Sequence, residues 1–500
     1  MRKVASGFSP VIAVERRSKK PLHKQVYEAF CAAIVGGSLR AGQRVPSSRS
    51  LALELNVSRL PVLTAYSQLI AEGYFEARSG SGTFVSSSLP EQWVSIRQRA
   101  ATPVGIRSGR RPVSRRSAAL PDFRGRPWQN RWGAFVVGQV AFDHFPVEVW
   151  SRLVNRHVRN PRVSSFHYGD PMGSHTLRST IADYLRTVRA VNCDAGQVMI
   201  VSGSQQGLEL SARVLLDPGD KVWVEEPGYR AGRSVFAFAG CRLVPVPVDA
   251  EGLDVSAGVK LARNARAAFV TPSHQFPLGV SMSAPRRLQL VDWAQRSGAW
   301  IIEDDYDSEY RYESMPIASL QGLDRNSRVI YIGTFSKTLF PSLRLGYVVI
   351  PPDLVGRFVA IRHSMDLCPP DLYQSVLADF IAEGHFARHI RRTRLLYSER
   401  RNVLVEAIRG EFGTSVELLG AEAGMHLVAT LPKGLRDRQV SQQAALQDVW
   451  LWPLSGCYLE KPQTQGLILG FGSTTPKEIP KAVERLRAVI DSQLGARISA

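Results

Sequence analysis

The chain has 500 residues, of which 44% are apolar and 21% are charged, so it is too long for one hydrophobic core and has the composition of a globular protein. No apolar run approaches the roughly 18 residues of a membrane span, and the N-terminus lacks the apolar stretch and cleavage site of an export signal. These features argue against a membrane protein and predict a cytoplasmic protein with two or more domains.

The five cysteines are scattered along the chain and form no CxxC pair. Their odd number and wide spacing argue against a disulfide framework and against a zinc site. We therefore expect reduced thiols and no bound metal.

Positive charge is concentrated near the N-terminus. The formal net charge is +19, and residues 1–131 hold 22 basic and 7 acidic side chains, whereas the remaining residues are almost balanced. This asymmetry predicts a polyanion-binding surface, with nucleic acid as the leading partner. The alternative is a positive surface that serves only solubility.

The segment from Pro21 to residue 85 reads as three helices followed by a hairpin. Apolar residues at helical spacing predict a first helix that ends at Gly36. Ser47 and Ser58 are predicted to cap the second and third helices, and Pro61 lies in the first helical turn, where proline is tolerated. The stretches GYFEAR and GTFVS are predicted strands joined by a turn of serine and glycine.

This order of elements predicts a winged helix-turn-helix whose third helix enters the major groove. The stretch RVPSSRSLALELNVSRLPVLTAYSQLIAEGY and the wing SGSGTFV resemble the GntR-type DNA-binding domain, which we assign to residues 15–86. The resemblance implies binding to double-stranded promoter DNA. It marks six candidates for base or phosphate contacts: Arg44, Arg49, Ser58, Arg59, Thr64 and Gly82.

Residues 87–131 are rich in arginine, serine and proline and show no periodicity. Residues 86–131 hold 10 basic and 2 acidic side chains. This composition predicts a flexible tether. Its charge either adds salt-sensitive DNA affinity or is incidental to a plain spacer.

Residues 132–497 alternate strand-like apolar runs with helical segments, which predicts an α/β domain with a mostly parallel sheet and helices on both faces. In such sheets ligands bind at the carboxyl ends of the strands. Seven runs carry this prediction: VMIVSG, KVWVEE, CRLVPVPV, AAFVTP, AWIIEDD, VIYIGT and LGYVVI.

Polar groups follow three of these runs. Ser204 begins a helical stretch that can hold a phosphate, Asp304 and Tyr306 come where another strand ends, and Lys337 follows a third, with Arg344 seven residues later. A phosphate cradle, an acid and an amine that reacts with aldehydes are the groups that pyridoxal 5′-phosphate requires. The sequence therefore predicts this cofactor.

The stretches GTFSKTLFPSLRLGY, IIEDDYDSEYRY, TPSHQFPLG, VEEPGY and YGDPMGSHTLR resemble the aminotransferase-like domain of fold-type-I pyridoxal-phosphate proteins, in the form fused to GntR-type domains in MocR-family regulators. The resemblance makes Lys337 the Schiff-base lysine, Asp304 the partner of the pyridine nitrogen and Tyr306 the partner of the ring hydroxyl. It further implies a homodimer, for which it suggests a head-to-tail arrangement. The remaining cofactor contacts that it implies are the phosphate ligands Ser204, Gln205, Thr334 and Arg344, the ring-stacking Tyr229, and Tyr168 from the second subunit.

Two positions depart from ordinary aminotransferases of this fold. Phe276 replaces an asparagine beside the ring, and Ile468 stands where an arginine binds the substrate α-carboxylate. Without that arginine, transamination of amino acids loses its main positioning contact. The effector is then the cofactor itself or an amine without a conventional α-carboxylate, such as an ω-amino acid or taurine.

Two further stretches, 425–426 and 455–458, either line the effector pocket or serve packing and loop structure. We interpret the chain as a pyridoxal-phosphate-dependent DNA-binding transcriptional regulator that senses the cofactor, an amine or an amino acid through Lys337. One alternative is a working aminotransferase with an accessory DNA-binding domain. Another is a plain repressor whose large domain serves only to dimerise.

Overall fold

The computed structural model describes residues 2–4, 12–16, 18–78, 80–87, 113–114, 117, 132–161, 166–312 and 318–498. The chain divides into two compact units, Met1–Pro112 and Val113–Ala500. The predicted tether lies almost entirely outside the described residues, and its flexibility stays a prediction. The five cysteines are free thiols. Within the described ranges, no helix has the length and apolar character needed to cross a bilayer.

The N-terminal unit combines three helices with two antiparallel strand pairs. Its elements are β1 (Arg2–Val4), β2 (Ala13–Glu15), α1 (Leu22–Val35), α2 (Ser48–Glu54), α3 (Arg59–Ala71), β3 (Phe75–Arg78) and β4 (Gly82–Val85). Phe30 of α1, Tyr66 of α3 and Phe75 of β3 meet edge to face, with ring centroids 5.1–5.6 Å apart. Ile12 and Val14 are buried in the same core. Aromatic packing thus joins the helices to the hairpin.

Local signals predicted most of these boundaries. Helix α1 ends just before Gly36, and the Ser47 side chain accepts a hydrogen bond from the Ser50 backbone N–H. Ser58 occupies the predicted N-cap position, with an extended backbone directly before α3, but its side chain accepts no capping hydrogen bond. A cap bonds the second or third N–H of the helix, and the third residue here is Pro61, which has none.

The second unit is built on an eight-stranded sheet whose centre is parallel. Its strands are β5 (Val198–Val201), β6 (Lys221–Glu226), β7 (Arg242–Asp249), β8 (Gly252–Leu253), β9 (Ala267–Val270), β10 (Trp300–Asp305), β11 (Val329–Thr334) and β12 (Gly346–Val349). Their order is β5-β12-β11-β10-β9-β6-β7-β8, and the strands from β11 to β7 are parallel. Strand β12 is antiparallel to both of its neighbours, and β8 is antiparallel to β7. All seven predicted runs are strands of this sheet.

Helices cover both faces of the sheet. The helices of the unit are α4 (Val147–Arg159), α5 (His175–Arg189), α6 (Ser204–Leu215), α7 (Arg230–Ala239), α8 (Val255–Ala262), α9 (Ala284–Ser297), α10 (Leu320–Leu323), α11 (Val355–Asp366), α12 (Leu372–Ala382), α13 (His385–Phe412), α14 (Asp437–Ala445) and α15 (Ile479–Ile498). Within β6, Val222 and Val224 pack with Leu208 of α6, whereas Trp223 packs on the other face and stacks on Trp293 of α9. Burial on both faces explains the continuous apolar runs and confirms the predicted α/β fold.

A second, antiparallel sheet lies in the same unit and contains Ile468 in its last strand. It contains β13 (Leu418–Leu419), β14 (His426–Thr430), β15 (Trp452–Pro453) and β16 (Gly466–Gly470), in the order β13-β14-β16-β15. Two of these strands have only two residues, too few for a period-two pattern to be detected. This sheet matters because His426 and Trp452 reach the functional site.

Candidate cofactor site and DNA-binding surface

A cavity of about 230 Å³ lies at the carboxyl ends of the parallel strands. Its walls combine side chains that directly follow β5, β6, β9, β10 and β11 with side chains from the antiparallel sheet. Eight of the nine predicted cofactor residues line it: Ser204, Gln205, Tyr229, Asp304, Tyr306, Thr334, Lys337 and Arg344. The fold therefore brings together residues that are up to 140 positions apart in the sequence.

Lys337 follows β11 and directs its amine into the cavity. Its Nζ donates a hydrogen bond to the Gly138 carbonyl oxygen at 3.0 Å. Burial lowers the pKa of this amine, while the carboxylates of Asp307 and Asp304 act in the opposite direction. A lowered pKa increases the neutral fraction, which is the nucleophilic form of a lysine.

Asp304 and Asp305 are the last two residues of β10, so the predicted carboxylate lies where a strand ends. Successive strand residues face opposite sides, so their environments differ. Asp305 pairs with the buried guanidinium of Arg189 at 2.8 Å. Asp304 lines the cavity, and its Oδ1 has no hydrogen-bond partner among the described residues. Burial, reinforced by neighbouring carboxylates, raises the pKa of Asp304 to about 8.

Tyr306 is held at the cavity by a hydrogen-bonded group. Its hydroxyl donates to the His274 carbonyl oxygen at 2.9 Å and lies 3.1 Å from the Nδ1 of the same histidine. That Nδ1 also lies 3.0 Å from Asp307 Oδ2. The atoms of His274, Asp307 and His426 that could bind a metal ion lie within 4.8 Å of one another. His426 Nε2 also lies 3.1 Å from the Pro277 carbonyl oxygen. Burial raises the pKa of Tyr306, which keeps the phenol protonated.

Tyr229 and Gln205 form another part of the wall. The Tyr229 ring meets Phe276 edge to face, with centroids 5.6 Å apart. Gln205 donates a hydrogen bond from Nε2 to the Ala231 carbonyl oxygen at 3.1 Å, and its Oε1 is unpartnered within the described residues. An aromatic ring and a spare amide oxygen are suited to a flat, polar ligand.

One end of the cavity has the features of an anion site. Helix α6 begins at Ser204, and the guanidinium of Arg344 lies against Gly203, where an added Cβ would be 3.2 Å from Arg344 Nη1. The hydroxyls of Thr334 and Ser336 are 3.0 Å apart on the same cavity. A helix N-terminus, a guanidinium and hydroxyl donors together provide what a phosphate group requires.

The structure places Tyr168 differently from the other eight residues. Its side chain is 85% exposed and does not line the cavity of its own chain. Its role in a second subunit stays a prediction. Sequence reasoning assigned no role to seven lining residues. Within the stretches quoted for the resemblance lie Thr271, Asp307, Ser336 and Pro341, and outside them lie Val137, Gly138 and Trp452.

Of the two stretches 425–426 and 455–458, only the first lines the cavity. Met425 and His426 line the cavity. Residues 455–458 do not, and Ser455 bonds instead to Asp437, with its backbone N–H at 2.7 Å and its hydroxyl at 2.6 Å. Ile468 is fully buried in an apolar cluster that includes Phe276.

In the N-terminal unit, all six DNA-binding candidates are at the surface: Arg44, Arg49, Ser58, Arg59, Thr64 and Gly82. The guanidinium of Arg44 lies beside the wing, where a Cβ on Gly82 would be 3.1 Å from its Nε. Arg59 donates a hydrogen bond to the Ser48 hydroxyl at 3.2 Å, which joins the starts of α2 and α3. The Thr64 hydroxyl donates to the Leu60 carbonyl oxygen at 3.0 Å. Three basic side chains thus border the predicted recognition helix and wing.

Comparison with known proteins supports both halves of this description. The family of bacterial regulatory proteins of the gntR type matches residues 22–85, and aminotransferase class I and II matches residues 134–486. The probable rhizopine catabolism regulatory protein MocR of Rhizobium meliloti is 40% identical, over 96% of this chain and 95% of its own length. The pyridoxine biosynthesis regulator PdxR of Corynebacterium glutamicum is 30% identical, over 92% of this chain and 94% of its own.

Among solved structures, kynurenine aminotransferase of Pyrococcus horikoshii in complex with PMP superimposes with a TM-score of 0.71. It is 28% identical and covers 76% of this chain and 97% of its own. The cofactor of the aminotransferase class is pyridoxal 5′-phosphate, and the unpartnered carboxyl oxygen of Asp304, the buried Lys337 amine and the anion site beside Arg344 fit that group. The chain therefore belongs to the MocR-type transcriptional regulators, in which a GntR-type DNA-binding domain precedes an aminotransferase-like, pyridoxal-phosphate domain.

Proposed function

We propose that this regulator binds promoter DNA as a homodimer in the cytoplasm and that pyridoxal 5′-phosphate, alone or together with an amine, controls the binding through Lys337. The observation that carries the proposal is the cavity itself. It keeps the lysine, acid and anion site of a cofactor pocket, yet its only basic lining residues within the described chain are Lys337 and Arg344. Such a cavity is built to bind the cofactor and is poorly equipped to position amino-acid substrates.

In this proposal each residue acts on a defined part of the cofactor. The Asp304 carboxylate accepts a hydrogen bond from the protonated ring nitrogen, Tyr306 donates a hydrogen bond to the ring hydroxyl oxygen, and Tyr229 stacks on the ring face. When bound, the cofactor supplies a carbonyl carbon that reacts with one primary amine at a time. Burial of Lys337 keeps its amine available for that position.

The anion site completes this proposed set of contacts. The phosphate is held by the N-terminus of α6 with Ser204, by the backbone N–H of Gln205, by the Thr334 hydroxyl and by the Arg344 guanidinium. The guanidinium supplies paired donors in a fixed geometry, and the helix terminus supplies backbone N–H groups. Tyr168 of the second subunit adds a hydroxyl from outside.

A working aminotransferase is the second candidate, favoured by the structural likeness to kynurenine aminotransferase. Steady transamination needs a group that fixes the amino-acid carboxylate. Ile468 supplies none. Sustained turnover of any amino acid with 2-oxoglutarate would favour this candidate over the sensor.

Regulation requires that ligand affinity differ between two arrangements of the DNA-binding and cofactor domains. The test uses purified full-length protein and DNA flanking its own gene at fixed salt, because affinity depends strongly on ionic strength. Binding is measured after the cofactor has been stripped and again after it has been restored. Lys337→Ala is the control, with Lys337→Arg as a variant that keeps the charge.

We expect the cofactor to change DNA affinity in the wild type and in neither variant. If the cofactor spectrum forms and DNA affinity is unchanged, the cofactor alone does not control DNA binding. An amine that reacts with the bound cofactor must then be the effector. If affinity and DNA bending also stay unchanged at saturating amine, the sensor proposal fails.

A further inference from the structure

Part of the cavity wall is left over after the cofactor contacts are assigned. Five of its residues are apolar, and the others are a glycine, two hydroxyl residues, an acid and an imidazole: Val137, Phe276, Pro341, Met425, Trp452, Gly138, Thr271, Ser336, Asp307 and His426. A ligand that reaches the cofactor therefore meets a wall that is half apolar and carries neither lysine nor arginine.

Strand register puts Ile468 behind this wall. His426 and Val428 are two residues apart on β14 and so share a face of the sheet. Ile468 pairs directly with Val428 on one side and with Trp452 on the other, which puts it on that same face. Since His426 and Trp452 line the cavity, a long side chain at position 468 would point toward it. The isoleucine closes that route with apolar atoms.

Among the described residues, no positively charged side chain lines this part of the wall. Burial, aided by His274 and Lys337, lowers the pKa of His426 well below its usual range, so its ring is neutral at physiological pH. The nearby guanidinium of Arg233 donates to the carbonyl oxygens of Cys457 and Tyr458 at 2.6 and 3.1 Å. Lys337 and Arg344 lie at the cofactor end.

Negative charge, by contrast, is present at the cavity. Asp304 and Asp307 both line the cavity and are almost completely buried. The carboxylate of Asp307 attracts an ammonium group and repels an anionic one, and the repulsion is strong where water is excluded. Asp304 is taken up by the ring nitrogen in the proposed arrangement. A ligand anion on the apolar wall would lose its hydration without gaining a cationic partner.

From this distribution of charge we infer that the small-molecule effector is a primary amine that carries no carboxylate, sulfonate or phosphate. The inference rests on the proposed function and narrows it, since it removes amino acids, ω-amino acids and taurine from the candidate effectors. The amine approaches the cofactor end, and an uncharged body packs on Phe276, Met425 and Trp452.

The test measures binding to the cofactor-loaded wild-type protein by calorimetry, with the absorbance of the cofactor as a second readout. The probes are 3-amino-1-propanol, β-alanine and taurine, which share an aminoethyl group and differ in the terminal group. Isoamylamine and L-leucine form a larger pair that differs by one carboxylate. We expect the uncharged member of each set to bind roughly tenfold or more tightly than the anionic member, because the anion is left unpaired.

Ile468→Arg should reduce this discrimination by improving binding of β-alanine and leucine, whereas Ile468→Met, similar in length but uncharged, should preserve it. If the arginine variant does not fold, the wild-type series decides alone. Equal or tighter binding of the anionic probes, or failure of both uncharged amines to bind, overturns the inference. If the cofactor spectrum does not form at all, the proposed function fails instead.

Discussion

Replacement of each of two adjacent aspartates of β10 by asparagine should change the stability of the protein in opposite directions. Asp304 has a folded-state pKa of about 8, above the roughly 3.9 of an unfolded aspartate, so folding favours its protonated form. The cofactor-free protein therefore loses stability from this group as the pH rises from about 4 to about 8. We expect Asp304→Asn to raise the melting temperature of the cofactor-free protein at pH 8 more than at pH 5, as followed by thermal denaturation.

The same variant should bind pyridoxal 5′-phosphate roughly tenfold or more weakly, since a charge-assisted hydrogen bond to the ring nitrogen is lost. Asp305→Asn is the matched control. It leaves Arg189 buried without its anionic partner and should cost about 3–5 kcal/mol of stability. Tight cofactor binding by Asp304→Asn would contradict the assigned role, whatever happened to its stability.

At the scale of an element, the start of α6 depends on a glycine. Gly203 has φ +89°, and an added Cβ would press on the Arg344 guanidinium at 3.2 Å. Gly203→Ala should therefore reduce stability by about 1–3 kcal/mol and weaken cofactor binding as well, measured by denaturation and by cofactor titration. Gly219→Ala isolates the backbone effect, because φ is +98° there and an added Cβ would meet no atom within 4 Å. Equal cofactor affinity in both variants would show that Arg344 is not displaced.

The start of α3 carries a second prediction at this scale. Arg59 is exposed at the first position of the proposed recognition helix. Arg59→Ala should lower DNA affinity, and if the lost contact is to a phosphate, the slope of log affinity against log salt should fall by about 1. Arg296→Ala removes an equal charge from an exposed site of the large unit and should leave both quantities unchanged. An equal effect of the two substitutions would indicate a response to net charge alone.

Elements could be predicted where a local signal existed. The seven long apolar runs became strands because burial on both faces demands apolar residues throughout. Strands β13 and β15 were missed because two residues give no pattern. Ser58 has the predicted N-cap position without the capping hydrogen bond, and Pro61 removes one of the two N–H groups that its side chain could bond.

At the scale of the whole molecule, prediction depended on resemblance more than on pattern. Lys337, Asp304 and Arg344 could be assigned because known motifs carry them. Gly138, by contrast, accepts the Lys337 hydrogen bond from 199 residues away, and no local signal connects the two. The apolar cluster around Ile468 likewise forms only when two sheets have folded. Contacts of this kind require the three-dimensional structure.

Tyr168 provides the test of whether the site is shared between two chains. Its side chain is 85% exposed in the single chain, where it does not line the cavity. If it donates to the phosphate held by a partner, its loss should weaken cofactor binding by roughly tenfold in a homodimer of Tyr168→Ala. Lys337→Ala should abolish covalent attachment in its own homodimer.

Mixed dimers of these two variants separate the possibilities. In a shared site, the chain with Tyr168→Ala keeps its own Lys337 and receives the intact tyrosine of the partner, so one site in each mixed dimer regains wild-type affinity. If each tyrosine serves its own chain, every site in the mixed dimer lacks either the tyrosine or the lysine. Differently tagged chains, purified as mixed dimers and titrated with cofactor, distinguish the two. Recovery of half the sites at wild-type affinity would establish that each cofactor site takes its Tyr168 from the partner chain, whereas no recovery would contradict a shared site.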